Sequence, residues 1–133
     1  MAANIKIVPI LPAIDIERAK KFYQNGFGCT LKQNTPEPGA VLDCQGSQLY
    51  IYQRGPSKAD HTLAAFMVDD LESEMQVLRG RGIEFEEYDV PSMGLKTVNG
   101  VATMGDTKGA WFKDSEGNIL GLTELVKEPI KTG

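Results

Sequence analysis

His61 is the only histidine in the chain, and the phenols of Tyr50 and Tyr52 lie shortly before it. An imidazole that titrates near neutrality and a phenol can exchange a proton, so acid–base catalysis is the first chemistry these residue types allow. A structural reading competes with it. His61 follows the connector-like run Arg54-Gly55-Pro56-Ser57-Lys58-Ala59-Asp60, and Tyr50 alternates with Tyr52 as residues of a half-buried strand do. Asp114, Glu116 and Gly117 form an acidic group, yet Asp114-Ser115-Glu116-Gly117 is the composition of a hairpin turn, which accounts for them. Cys29 and Cys44 have neither the paired spacing of a zinc site nor the density of a disulfide scaffold; a bridge between two neighbouring strands is the alternative, and a reducing compartment favours reading both as reduced, partly buried strand residues.

The elements that must position these groups occur twice. Pro12-Ala13-Ile14-Asp15-Ile16-Glu17 opens an amphipathic helix after an apolar strand, and Met67-Val68-Asp69-Asp70-Leu71-Glu72 does so again about 55 residues later. In the first copy, Ile5–Ile10 reads as a strand that Pro9 and Pro12 confine to an edge. Ile16, Ala19, Phe22 and Tyr23 recur at helical spacing, Gly26 and Gly28 stop the helix, and three short strands follow over 29–35, 40–44 and 49–54. In the second copy, a strand over 62–68 leads into a helix with Leu71, Met75 and Leu78 on one stripe, Asp69 and Glu72 resembling its capping pair. Ile83–Tyr88 reads as a strand, residues 89 to about 105 as an irregular excursion, and 108–113 with 118–125 as a hairpin. That excursion is equally a lid or a plain mobile loop. Trp111 beside Phe112 puts one ring on each side of its strand; the pattern leaves open which is core.

Composition narrows the classes. A chain of 133 residues with 41% hydrophobic content supplies one domain and no second full one. Formal charge −4, with no run of five like charges, argues against nucleic acid and anionic membrane as partners. The amino-terminal Met1-Ala2-Ala3-Asn4-Ile5-Lys6 lacks a signal-like apolar stretch and no segment suits a bilayer span, so a cytoplasmic location is expected.

The stretch Ala110-Trp111-Phe112-Lys113-Asp114-Ser115-Glu116-Gly117-Asn118-Ile119-Leu120, together with Leu11-Pro12-Ala13-Ile14-Asp15-Ile16-Glu17-Arg18-Ala19-Lys20-Lys21-Phe22-Tyr23, resembles the vicinal oxygen chelate superfamily of glyoxalases, bleomycin resistance proteins and extradiol dioxygenases. The resemblance implies an α+β fold of two βαβββ modules whose curved mixed sheets enclose a cleft. Module one then runs over about 5–54, a linker over 55–60 and module two over about 61–125, all in one domain spanning 1–133. It also implies four strand positions that in metal-dependent members supply His, Glu or Gln to a divalent cation. Counting from Asp15, Gly46, Asp70 and Gly117 puts them at Val8, Tyr50, Leu63 and Gly121, where valine, leucine and glycine offer no donor. Glu124 lies at an odd offset from Gly121, so its carboxylate should point away.

The expectation is therefore a receptacle with no metal and no cofactor, and with no catalytic residue assigned. Period-two alternation from the four positions turns Val8 and Ile10, Tyr50 and Tyr52, His61, Leu63 and Ala65, and Gly121 and Thr123 inward, with Trp111 a further candidate for the lining. Such a lining suits a small organic ligand, apolar or aromatic, that the protein binds or sequesters. The alternative is a glyoxalase-like lyase, isomerase or dioxygenase with displaced ligands, recruiting His61 and Glu124, or an acid–base catalyst using His61 and Tyr50. A homodimer is what the resemblance implies, since members of that superfamily often pair through their modules, and the proline-bearing edge strands here would permit it.

Overall fold

In the computed structural model, which describes residues 7–36 and 38–125, one order of elements runs through the chain twice. The first pass is Ile10–Ala13 (β1), Ile16–Phe27 (α1), Thr30–Thr35 (β2), Gly39–Cys44 (β3) and Ser47–Gln53 (β4). The second is Ala64–Met67 (β5), Leu71–Gly80 (α2), the two-residue strands Asp89–Val90 (β6) and Leu95–Lys96 (β7), then Ala102–Met104 (β8), Thr107–Lys113 (β9) and Ile119–Leu125 (β10). The two four-stranded sheets are ordered β1-β4-β3-β2 and β5-β10-β9-β8. Each pairs its first strand with its last in parallel and its remaining strands antiparallel. This is an α+β fold of two βαβββ modules with mixed sheets. One compact unit holds β1–β4, α1 and residues 114–118; the other holds β5–β10 and α2.

Both helices are set by caps and a stripe. The Asp15 carboxylate accepts from the Arg18 amide at 3.1 Å, Gly28 takes the left-handed conformation that ends α1, and Ile16, Ala19 and Tyr23 are buried. In α2 the cap is Asp70, bonded to the Ser73 amide, one residue after the Asp69 expected, with Leu71, Met75 and Leu78 buried. Against α1 and α2, alternate strand residues form two cores. Leu11, Ala13, Ala40, Leu42, Leu49 and Ile51 serve the first unit, and Ala110, Phe112, Leu120 and Leu122 the second. Each buried Leu, Ile or Phe stabilises its unit by about 1.5–3 kcal/mol. Phe112 is thus the core ring, and Trp111 lies on the opposite face of β9.

Three expectations are corrected. β1 begins at Ile10, later than the strand read from Ile5, although it is an edge strand and Pro12 sits in it, where a missing amide costs little. Residues 5 and 6 lie outside the described residues. Ile83–Tyr88 is not a continuous strand. The three-residue β8 pairs only with the 107–109 end of β9, and the rest of that edge is met at one bridge, Phe85 to Phe112, plus the Glu86 amide donating to the Trp111 carbonyl at 2.7 Å. The cysteines are not free thiols: Cys29 and Cys44 are disulfide-bonded. Thr30 faces Asp43 across β2 and β3, so continuing that register brings the two sulfurs together, which spacing along the chain does not reveal. A bridge between residues 15 apart stabilises by about 3 kcal/mol through the unfolded chain. Treatment with a dithiol is accordingly expected to lower the thermal midpoint by on the order of 10 °C in calorimetry; an unmoved midpoint would deny the bridge any role in stability. No helix among the described residues is long and apolar enough to cross a membrane.

Candidate functional site

Since α1 covers one face of the first sheet, the alternate residues form the other. Strand register sets them in two rows: Ile10, Tyr50, Val41 and Gln33, then Pro12, Tyr52, Gly39 and Thr35. The Tyr50 hydroxyl lies 3.2 Å from the Thr35 hydroxyl. A side chain at Gly39 would stand 2.6 Å from the Ile51 carbonyl and 2.7 Å from the Thr35 hydroxyl, so only glycine fits beneath that pair. The Tyr52 hydroxyl accepts from Arg54 at 3.3 Å. Val8 is half-buried just ahead of β1, next to Pro9, whose carbonyl receives the Tyr50 amide.

The second unit is plainer in chemistry. Opposite α2, one row is Ala65, Gly121 and Trp111, and the next is Met67, Thr123, Gly109 and Ala102. Small residues thus make a floor beside an indole. A Cβ on Gly109 would lie 3.6 Å from both the Met104 methyl and the Trp111 ring, so the two side chains flank that glycine. Tyr88 meets the indole edge-on, ring centres 5.6 Å apart. Met67 is 61% exposed and Met104 43%, leaving two polarizable thioethers uncovered at the margin of the floor.

Of the residues singled out from sequence, Trp111 and Gly121 are therefore direct cross-strand neighbours, and Tyr50 and Tyr52 share the other sheet's open face. His61 stands apart. It lies three residues before β5, its side chain is 70% exposed, and its Nδ1 is 3.6 Å from the Asp60 carboxylate. Leu63 is half-buried and also precedes the strand. Glu124 turns away from the open face as its offset implied: its carboxylate accepts the Leu71 amide at 2.8 Å, helping to cap α2. Met67, Gly109 and Tyr88, on or beside the same face, were not singled out from the sequence, although strict alternation from Trp111 reaches Gly109 and from Ala65 reaches Met67.

Donor chemistry decides against a cation at the four family positions. Val8, Leu63 and Gly121 carry no side-chain ligand atom, and one phenol cannot complete a coordination sphere. Among the described residues no three His, Cys, Asp or Glu side chains converge.

The acidic turn does more than turn. Asp114 accepts the Glu116 and Asn118 amides at 2.9 Å with one oxygen, and with the other the Tyr23 hydroxyl at 2.5 Å and the Asn118 side-chain amide at 2.9 Å. Asn118 also donates to the Pro12 carbonyl at 2.9 Å. Glu116 receives Arg18 at 2.8 and 3.0 Å, the Asp15 amide at 2.8 Å and the Ser115 hydroxyl at 2.7 Å. Burial and the Asp114 charge push the Tyr23 phenol well above its usual range. Burial also pushes the Glu116 carboxyl up, but the Arg18 guanidinium, the Asp15 amide and the Ser115 hydroxyl outweigh it and hold it at about 2. A folded-state value below the unfolded one, ordinarily 4.5, gives stability that is complete above pH 4.5 and lost as pH falls toward about 2. Glu116→Gln should therefore flatten the acid limb of a stability-against-pH curve in that window; an identical limb would place the acid sensitivity elsewhere. These carboxylates anchor α1 and are not catalytic candidates.

The first unit also has an open hollow of about 780 Å³ at the start of α1, lined by Ile14, Asp15, Arg18, Lys20, Asn34, Thr35 and Gln53 among others. Its cations are engaged, Lys20 with Glu17 at 2.7 Å and Arg18 with Glu116. It offers no aromatic platform.

Residues 6–122 match the family model described as Glyoxalase/Bleomycin resistance protein/Dioxygenase superfamily. No curated protein sequence matches the chain. Among solved structures, it is similar to a glyoxalase/bleomycin resistance protein/dioxygenase from Alicyclobacillus acidocaldarius, at 19% identity and TM-score 0.66 over 93% of each chain. It is similar to a lactoylglutathione lyase from Agrobacterium tumefaciens at 16% identity and TM-score 0.67, covering 93% of this chain and 96% of that one. A genomically encoded fosfomycin resistance protein from Listeria monocytogenes, complexed with Mn(II) and sulfate, matches at 14% identity and TM-score 0.67, covering 93% and 91%. At such identities the likeness is one of fold.

Proposed function

The chain belongs to the Glyoxalase/Bleomycin resistance protein/Dioxygenase superfamily, and we propose that within it this protein binds a flat apolar or aromatic small molecule on the Trp111 face, without a metal ion. The supporting observation is the row Ala65–Gly121–Trp111, in which two residues of minimal side-chain volume adjoin a half-buried indole. A planar hydrocarbon laid there meets the Trp111 ring and the thioethers of Met67 and Met104, which favour aromatic partners. Thr123 adds one hydroxyl for orientation. The reading does not extend to nucleic acid or membrane, and homodimerisation through edge strands is part of it. A metal-dependent lyase, isomerase or dioxygenase with displaced ligands is less well supported, because it needs Glu124, whose carboxylate is committed to the Leu71 amide.

Two measurements test the reading. Elemental analysis of protein purified without chelator should find no stoichiometric transition metal. Titration with the neutral probe N-phenyl-1-naphthylamine should give saturable fluorescence and raise the thermal midpoint, since a ligand selective for the folded state stabilises it. A stoichiometric metal would overturn the metal-free reading, and a flat titration the binding site itself.

A further inference from the structure

The segment between α2 and β8 divides into a part tied to the rest of its unit by hydrogen bonds and a part bonded chiefly to itself. From Thr97 to Val101 it is held at every step. Thr97, itself buried, takes the Tyr88 amide on its hydroxyl at 2.7 Å and gives its own amide to the Tyr88 carbonyl at 2.8 Å. The Asn99 carbonyl accepts from Arg79 at 3.0 Å, and the Gly100 amide donates to Glu87 at 2.7 Å. Gly100 is packed so closely that a Cβ would sit 3.1–3.2 Å from Met75, Arg79 and Phe85. Residues 89–96 differ. Two residue pairs join β6 to β7, all four residues from Pro91 to Gly94 are exposed, and Met93 at the tip is 75% exposed. A two-pair hairpin has little stability of its own.

What lies at the base of this arm matters. Tyr88, the last residue before it, touches the Trp111 indole edge-on, so the arm springs from the rim of the small-residue floor. We propose that the β6–β7 hairpin is a strap, hinged at the Tyr88–Thr97 pair, that folds over a molecule lying against Trp111 and brings Met93 onto it. The strap rests on the binding reading above, since it needs an occupant to close upon. An apolar tip in water gains by covering a hydrocarbon, while the locked 97–101 segment keeps the hinge in place. The floor admits the ligand, and the strap sets how long it stays.

The test uses the full chain and N-phenyl-1-naphthylamine. Saturating probe should slow amide hydrogen exchange across 90–96 several-fold and leave 97–101 unchanged. Met93→Gln, at a position too exposed to affect folding, should speed probe release in stopped-flow by about five- to tenfold, because the burial of one thioether side chain is lost. Ala65→Arg separates the two ideas by filling the floor. If Ala65→Arg abolishes binding but Met93→Gln releases probe at the wild-type rate and exchange over 90–96 is unaltered, the strap is overturned and the floor stands. If the wild type binds no probe, or Ala65→Arg binds as well as wild type, the binding reading falls and the strap with it.

Discussion

Trp111→Ala is expected to weaken binding of N-phenyl-1-naphthylamine by about 10- to 100-fold, the range that loss of a central aromatic anchor commonly produces. Trp111 is the sole tryptophan and faces away from the Phe112 core, so its removal should leave the fold of β9 intact. Its neighbours across β10 and β5 are Gly121 and Ala65, which present almost no surface of their own. A ligand on that floor thus has one aromatic platform, with only the flexible thioethers of Met67 and Met104 at its margin, so most of the contact is lost with the indole. Ala65→Arg approaches the same point from the other side: the position is exposed on an edge strand, tolerates a long side chain, and should then occupy the ligand's space. Fluorescence titration beside thermal denaturation distinguishes a lost site from a lost fold. Wild-type affinity in both variants would remove the Trp111 face from the function.

Repetition is what made the fold legible. Asp15 with Ile16, Ala19 and Tyr23, and Leu71 with Met75 and Leu78, are local patterns in which cap, stripe and stop lie within a few turns. The glycine turns between strands are local too. What stayed hidden depends on residues far apart in the chain. The Cys29–Cys44 bond requires the register of β2 on β3. Glu116 looked fully explained by its own turn, because nothing in the sequence says that Arg18, 98 positions earlier, reaches it. Part of the strand geometry on which the candidate site is built was readable by the same logic: Trp111 and Gly121 are cross-strand neighbours, Tyr50 and Tyr52 share a face, and Glu124 turns away. His61 was the weak case. An imidazole suits acid–base chemistry, yet His61 sits in the exposed approach to β5, and a residue's reactivity says nothing about where a connector will leave it.

Asp114→Ala is expected to destabilise the protein more than any other single change considered, by about 3–5 kcal/mol, a large share of the 5–15 kcal/mol typical of a folded domain. The reason is the number of groups it would orphan. Tyr23 has no exposed surface, and its hydroxyl would lose its acceptor. The amides of Glu116 and Asn118 would lose theirs, while the Asn118 side chain would keep only the Pro12 carbonyl. Each buried donor left unpaired costs about 1–3 kcal/mol, and partial rehydration keeps the total below the sum. Tyr23→Phe removes a donor along with its need, so it should cost only about 1–1.5 kcal/mol. Once the phenol is gone, Asp114→Ala has one fewer group to strand. The double variant should therefore be less destabilised than the two single losses added together, by about 1 kcal/mol or more. Urea midpoints for the four proteins close this cycle, and strict additivity would mean that Tyr23 and Asp114 do not act as a pair. The Trp111 face keeps its own core beneath it in α2 and β10, so at temperatures where the Asp114 variants remain folded their probe affinity should stay near wild type. A parallel loss of binding would mean that the anchor of α1 also holds the floor in shape.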